Sequence, residues 1–228
     1  MGNIDFHEIL ADVNELNFED NDRRREEYEQ RSRELKIGKE IHKLHCSCPR
    51  HAKSTVNNFE VEVHSKAEVV RDRIVKICHE MRQFLIDRKQ LFLYGSVGTG
   101  KDHLAVACLR QAARCDATVE WAEGLDIYEQ IAGAYSLKRS QSDIYAEYVR
   151  PQVLVISDPV FAANWSEAKA EALRKLVRKR YDRKKATWVT CNIPKLSEAE
   201  SYFGTDTFSR LSERTEFIEC RWKDYRQQ

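Results

Sequence analysis

The run Gly95-Ser96-Val97-Gly98-Thr99-Gly100-Lys101-Asp102 carries the densest chemistry in the chain. It follows the phosphate-binding pattern G-x-x-x-x-G-K-[ST] at every position but the last, where Asp102 stands in place of Ser or Thr. Glycines let successive backbone N–H groups turn toward phosphate oxygens, and the lysine reaches the β/γ-phosphates. The pattern therefore points to binding of a nucleoside triphosphate such as ATP, with residues 95–102 and the following His103 as the contact set. The last hydroxyl of the pattern ordinarily holds Mg²⁺, so Asp102 changes the metal chemistry of the loop.

Such a loop works only between a strand and a helix. Leu91-Phe92-Leu93-Tyr94 is a short apolar run, which predicts a buried strand entering it. Leu104, Ala105, Cys108, Leu109 and Ala112 recur at helical spacing and predict a helix from Asp102 to Cys115. That helix would aim its positive N-terminus at the same phosphates.

The flanking pattern extends this unit. Ser65-x-x-Glu68 is a capping box, and Val70, Ile74, Ile77, Met81 and Leu85 give the next helix an apolar face. Further strands are predicted at 117–122, 152–156, 186–191 and 216–221. Between them, helices are expected over 124–149 in two pieces, 166–183, 196–203 and 207–214. Strands alternating with helices predict a mostly parallel sheet covered on both faces, a three-layer α/β/α fold. The folded unit is expected to start near Asn58, giving an extension of 1–57 and a domain of 58–228.

In such folds ligands bind at the carboxyl ends of the strands. The third strand ends in Ser157-Asp158, where one or two acids would be placed beside the metal. The fourth ends in Thr190-Cys191-Asn192, where a polar side chain would orient an attacking water.

Composition bounds the remainder. The chain has 228 residues, 33% of them charged, with a formal net charge of +1. A balanced charge gives no bulk argument for nucleic acid, so any such surface must be local. No apolar run approaches the roughly 20 residues a spanning helix needs, and Met1–His7 is not a secretory signal. A soluble, cytoplasmic protein without membrane attachment is expected. Of seven cysteines, Cys78, Cys108 and Cys191 fall in apolar segments and are expected to pack as small hydrophobes. Residues 42–51 differ, holding five His or Cys side chains. Zinc would take His45, Cys46, Cys48 and His51. The competing reading, a solvated linker running on through 53–58, is favoured, because Cys-x-Cys is tighter than the usual pair. Residues 1–19 read as loose and 20–43 as a solvated helix of opposite charges three or four apart, either a partner-binding extension or a surface helix.

With these residues on the page, the chain resembles the AAA+ ATPases of the DnaC/IstB type, helicase loaders and transposition helper proteins. The resemblance covers about 58–226. It rests on residues 94–105, on 153–158, on 189–192, on Ser209-Arg210-Leu211-Ser212-Glu213-Arg214 and on Asp224-Tyr225-Arg226. It implies an AAA+-type P-loop fold and an ATPase acting in DNA replication as a helicase loader. A transposase helper and a nucleotide-sensing adaptor with little turnover are the alternatives. It implies that Lys101 is the Walker A lysine, Asn192 the sensor, and Arg210 a finger reaching the nucleotide of a neighbouring subunit in an ATP-dependent homo-oligomer. An ordinary surface arginine is the other reading of Arg210. Implied partners are a replicative helicase or a transposase, and single-stranded DNA met by Lys138 and Arg139. The basic end of the helix at 166–185 is a second candidate DNA surface.

The family carries Thr where Asp102 stands and Asp-Glu where Ser157-Asp158 stands. Together these departures read as an exchange that keeps one acid and one hydroxyl at the metal. Asp102, Ser157 and Asp158 would then surround Mg²⁺, with Asp158 as catalytic base. A site that binds nucleotide without cutting it is the alternative.

Overall fold

The structure is a computed structural model that describes residues 6–62, 65–136, 138–159 and 166–225, with side chains in the first helix from Asn21 onward. Arg226, part of the closing element quoted above, lies outside the described residues.

The chain divides into two compact units, Met1–Lys39 and Glu40–Gln228. The first is helical throughout its described residues. Helix α1 (Phe6–Ser47) is continuous, so 6–19 is helix rather than loose chain. Its residues 21–36 are exposed and carry i,i+4 contacts such as Arg25–Glu29 at 3.1 Å. No helix among the described residues is both long and apolar enough to cross a membrane.

The second unit is a five-stranded, all-parallel sheet in the order β2-β3-β4-β1-β5. The strands are β1 (Gln90–Gly95), β2 (Val119–Glu123), β3 (Val153–Ser157), β4 (Ala186–Cys191) and β5 (Thr215–Cys220). Side chains alternate across each strand, so both faces are apolar. Leu91, Leu93, Val153, Val155 and Trp188 face α2 (Lys66–His79), α3 (Met81–Ile86) and α4 (Lys101–Arg114). Phe92, Leu154, Ile156 and Val189 face the other layer: α5 (Gly124–Ala132), α6 (Gln141–Val149), α7 (Glu167–Asp182), α8 (Ala199–Phe203) and α9 (Thr205–Ser212).

The helices begin where local chemistry directs. Ser65 Oγ accepts the Glu68 N–H at 3.1 Å, opening α2. Val70, Ile74 and Ile77 of α2 are then buried, about 1.5–3 kcal/mol each. Ser166 caps α7 in the same way through the Lys169 N–H.

Two expectations are corrected. The segment 40–59 is no solvated linker, and the compact unit starts at Glu40 rather than near Asn58. Leu44, Cys48, Ser54 and Phe59 are all buried. Glu40 accepts the Val119 N–H at 2.9 Å, and Lys43 pairs with Glu120 at 2.5 Å, so the end of α1 covers the free edge of β2. The basic run ending α7 is also not one surface. Arg180 is fully buried, donating to the carbonyls of Tyr148, Pro151 and Ala186 and to Thr187 Oγ1. Burial pushes its pKa down to about 9. Arg174 pairs with Glu167 and Glu171.

Candidate nucleotide site

All five strands are parallel, so their carboxyl ends meet along one edge. β1 leads from Gly95 into the loop, and α4 starts at Lys101. Gly98 and Gly100 take left-handed φ values of 72° and 79°, which L side chains rarely adopt. A Cβ on Gly98 would stand 1.7 Å from an Asp224 carboxylate oxygen, and one on Gly100 would stand 2.6 Å from the Phe59 ring. Thr99 Oγ1 donates to Ser96 O at 2.9 Å and the Ser96 N–H to Cys220 O at 3.0 Å, which pins the loop to β5. Gly95, Ser96 and Thr99 thus shape the loop, whereas Val97, Gly98, Gly100, Lys101, Asp102 and His103 line a cavity of about 440 Å³. The Lys101 ammonium donates to Ser96 O at 2.6 Å and sits mostly buried, which lowers its pKa.

Asp102 and Ser157 meet. Ser157 Oγ donates to Asp102 Oδ1 at 2.8 Å, and Thr190 Oγ1 donates to the same oxygen at 2.6 Å. Ser157 and Thr190 are register partners on β3 and β4, so the sheet itself aims both hydroxyls at the first turn of α4. Asp158 follows at φ 42°, with its N–H on Thr190 O at 2.8 Å. Asn192 Nδ2 donates to both Asp158 oxygens at 2.9 Å. Burial, then the Asp102 charge, push the Asp158 carboxyl up to about 6, against the pull of Lys101 and Asn192.

Sequence reasoning missed Arg50, Asn58, Phe59 and Glu60 and gave His51 and Tyr225 no place at the nucleotide; all six line the cavity. Phe59 packs on His103, Trp222 and Tyr225 at ring distances of 5.3, 6.4 and 5.8 Å. Tyr225 donates its N–H to Gly98 O at 3.1 Å and its hydroxyl to Glu60 O at 2.9 Å, so the chain's closing segment straps the loop. His103 points its Nε2 at Thr55 O, 2.9 Å away.

The four zinc candidates are not brought together. His45 contacts Arg110 at 3.0 Å, Cys46 contacts His42 at 3.8 Å, and His51 contacts Ser54 at 3.5 Å. Cys48 is buried against Leu44 O, and burial with the Asp102 and Glu120 charges pushes its thiol up to about 12. A thiol held that way resists becoming the thiolate that zinc binds. No cluster of three or more His, Cys, Asp or Glu that could hold a metal is found among the described residues.

Arg210 lies elsewhere. It lines a second cavity of about 290 Å³ with Gln90 and Thr187, at the strands' amino ends. β1 is six residues long. At about 3.3 Å per residue that is roughly 20 Å from the loop, beyond reach within one chain. Its Nη1 donates to Asp206 O at 2.7 Å, and the guanidinium stands 5.9 Å from the Tyr181 ring.

The sequence pattern described as "IstB-like ATP binding protein" matches residues 11–228. The chain belongs to this family. No curated protein matches it. Among solved structures, the DnaC helicase loader superposes with a TM-score of 0.66 at 19% identity, covering 75% of this chain and 99% of that one. DnaI gives 0.58 at 15% identity, covering 77% and 92%. AMPPCP-bound DnaA from Aquifex aeolicus gives 0.59 at 18%, covering 75% of this chain and 51% of that one, so the match spans about half the DnaA structure. At these identities the likeness establishes the fold. With the family match it makes the second unit an AAA+ P-loop domain of the DnaC/IstB type, with the α/β/α layering expected.

Proposed function

We propose that the protein binds ATP with Mg²⁺ in the loop cavity and hydrolyses it, using the cycle to load or remodel a replicative helicase. The observation that carries this reading is the bonding of Ser157 and Thr190 to Asp102 beside Lys101. It supports the idea that the acid and hydroxyl around the metal have exchanged elements rather than been lost.

The donor set fits Mg²⁺, a hard cation that takes one or two carboxylates and otherwise waters and phosphate oxygens. Asp102 and Asp158 would hold it, with the Ser157 hydroxyl beside them, and when bound it would neutralise charge on the β/γ-phosphates. The chain's own residues do the remainder. Lys101 leaves Ser96 O and turns to the phosphate oxygens. Asp158 would accept the proton of the attacking water as general base, through the oxygen that the metal leaves free. Asn192 fixes that carboxylate through both oxygens. Arg210 of an adjacent copy would supply the charge that stabilises the transferring phosphoryl group, which requires an ATP-dependent homo-oligomer.

Two observations bear on partners. Tyr135 is 95% exposed in the turn between α5 and α6, beside Lys138, and suits stacking on single-stranded DNA. Arg139 in that turn is held by Glu147 at 2.6 Å. The transposase-helper reading rests on the family resemblance. The sensor reading rests on Asp158 being one methylene shorter than Glu.

Turnover is the test, measured with and without Mg²⁺ and single-stranded DNA, in wild type and Arg210→Ala. Metal-dependent turnover raised by DNA, with oligomers lost in Arg210→Ala, supports the motor. Tight ATP binding without turnover in either condition refutes it in favour of the sensor. Stimulation by a purified replicative helicase but not a transposase selects the loader.

A further inference from the structure

The His/Cys-rich segment at 42–51 takes no part in the mechanism above, yet it forms one wall of the cavity. The 3₁₀ turn Pro49–His51 follows α1 directly and brings Arg50 and His51 to the nucleotide loop. Resting on the nucleotide-binding reading, we infer that Arg50 is a cis-acting nucleotide contact, a second cation beside Lys101 where the phosphates arrive.

Charge motivates the inference. The cavity is lined by three carboxylates, Asp102, Asp158 and Glu60, whereas its permanent cations are Lys101 and Arg50. The lining thus holds one more acidic than permanently cationic side chain, an excess of negative charge. A triphosphate adds several more, so a second cation is needed where the phosphates arrive. His103 does not supply it, because its ring is engaged by Thr55 O at 2.9 Å. Arg50 is exposed and free to swing into the cavity.

The turn is also fixed in place. The His51 N–H donates to Cys48 O at 2.9 Å and the Ser54 N–H to His51 O at 2.9 Å. Arg110 of α4 donates to Ala52 O, and the His51 ring meets the His103 ring edge-on at 6.4 Å. The backbone that carries Arg50 is therefore fixed beside the first turn of α4 before any ligand arrives. Leu44 and Cys48 anchor the same segment in the core, so nucleotide at Arg50 acts on the root of α1.

The test uses the full chain and a ribose-labelled fluorescent ATP with Mg²⁺. Arg50→Gln should weaken ATP about tenfold, the worth of one charge pair at contact distance in partly aqueous surroundings. Its unfolding midpoint and its affinity for adenosine should match wild type. Unchanged ATP affinity in Arg50→Gln overturns the inference. So does equal loss of ATP and adenosine with a lowered midpoint, which would mark the turn as structural. A wild-type chain that binds no ATP, indistinguishable from Lys101→Ala, sinks the nucleotide reading instead and takes this inference with it.

Discussion

Consider exchanging the two unusual residues through Asp102→Thr and Ser157→Asp. Asp102 Oδ1 accepts hydroxyl hydrogens from Ser157 at 2.8 Å and Thr190 at 2.6 Å. Both donors are buried, at 3% and 1% exposure, so water cannot replace a lost acceptor. Hydrogen bonds to a charged group contribute about 1.5–3 kcal/mol. Asp102→Thr alone keeps one oxygen able to accept one of the two, so it should cost about 2–3 kcal/mol. Ser157→Asp alone sets a second carboxylate against Asp102 at a buried position. That leaves two like charges or a forced protonation, and should cost about 3 kcal/mol or more. In the double variant the new acid on β3 accepts from the hydroxyl introduced on α4 and from Thr190, and the arrangement is restored with roles reversed. Its cost should lie within about 1–2 kcal/mol of wild type, a coupling of at least about 2 kcal/mol. Urea unfolding of the nucleotide-free protein reads the stability, and ATP affinity with and without Mg²⁺ reads the site. Additivity of the two single costs to within about 0.5 kcal/mol would refute the exchange.

Other outcomes follow from the same geometry. Asp158 rises from 3.8 to about 6 on folding, so the folded state holds its proton more tightly and stability falls as pH climbs from about 4 to 6. Asp158→Asn, tolerated at φ 42°, should match wild type at pH 4. At pH 8 and without metal it should be the more stable by about 1–2 kcal/mol in urea, after discounting a full shift worth about 3 for partial exposure. Arg180→Leu strands three carbonyls and the Thr187 hydroxyl, and should lose about 3–5 kcal/mol by thermal or urea unfolding. Gly98→Ala meets Asp224 and keeps an unfavourable φ of 72°, so ATP affinity should fall at least tenfold, and adding Asp224→Ala should restore only part. Trp121 has a buried indole N–H with no partner among the described residues, so Trp121→Phe should shift stability by less than about 1 kcal/mol.

What the sequence disclosed and what it hid divide along a physical line. The phosphate loop, the five strands and the capped starts of α2 and α7 were legible because their causes are local: glycine spacing, apolar runs, a Ser three residues ahead of a free N–H. That Asp158 and Asn192 would stand at the loop cavity was legible, because in a parallel sheet the strand ends gather along one edge. The segment 40–59 was not, because Leu44, Cys48 and Phe59 are single apolar residues among polar ones, and only the tertiary fold shows that each is buried. Arg180 was hidden for a related reason. Its partners are main-chain carbonyls on α6 and β4, which leave no trace in residue types. Thr190 was quoted as part of a strand tip, but its bond to Asp102 depends on the register of β3 with β4.

The departures from the family pattern concentrate where the fold can absorb them. A carboxylate at 102 would be unfavourable in an ordinary phosphate loop, since it faces phosphates and loses solvation. Here the register places two hydroxyls on it, and the turn after α1 sets Arg50 in the same cavity. Local rules are broken at functional sites when neighbours compensate, and chance degeneration would not be expected to leave the compensation in place. Ser157 and Thr190 both bond Asp102 beside Lys101, which is the arrangement an exchanged metal site needs.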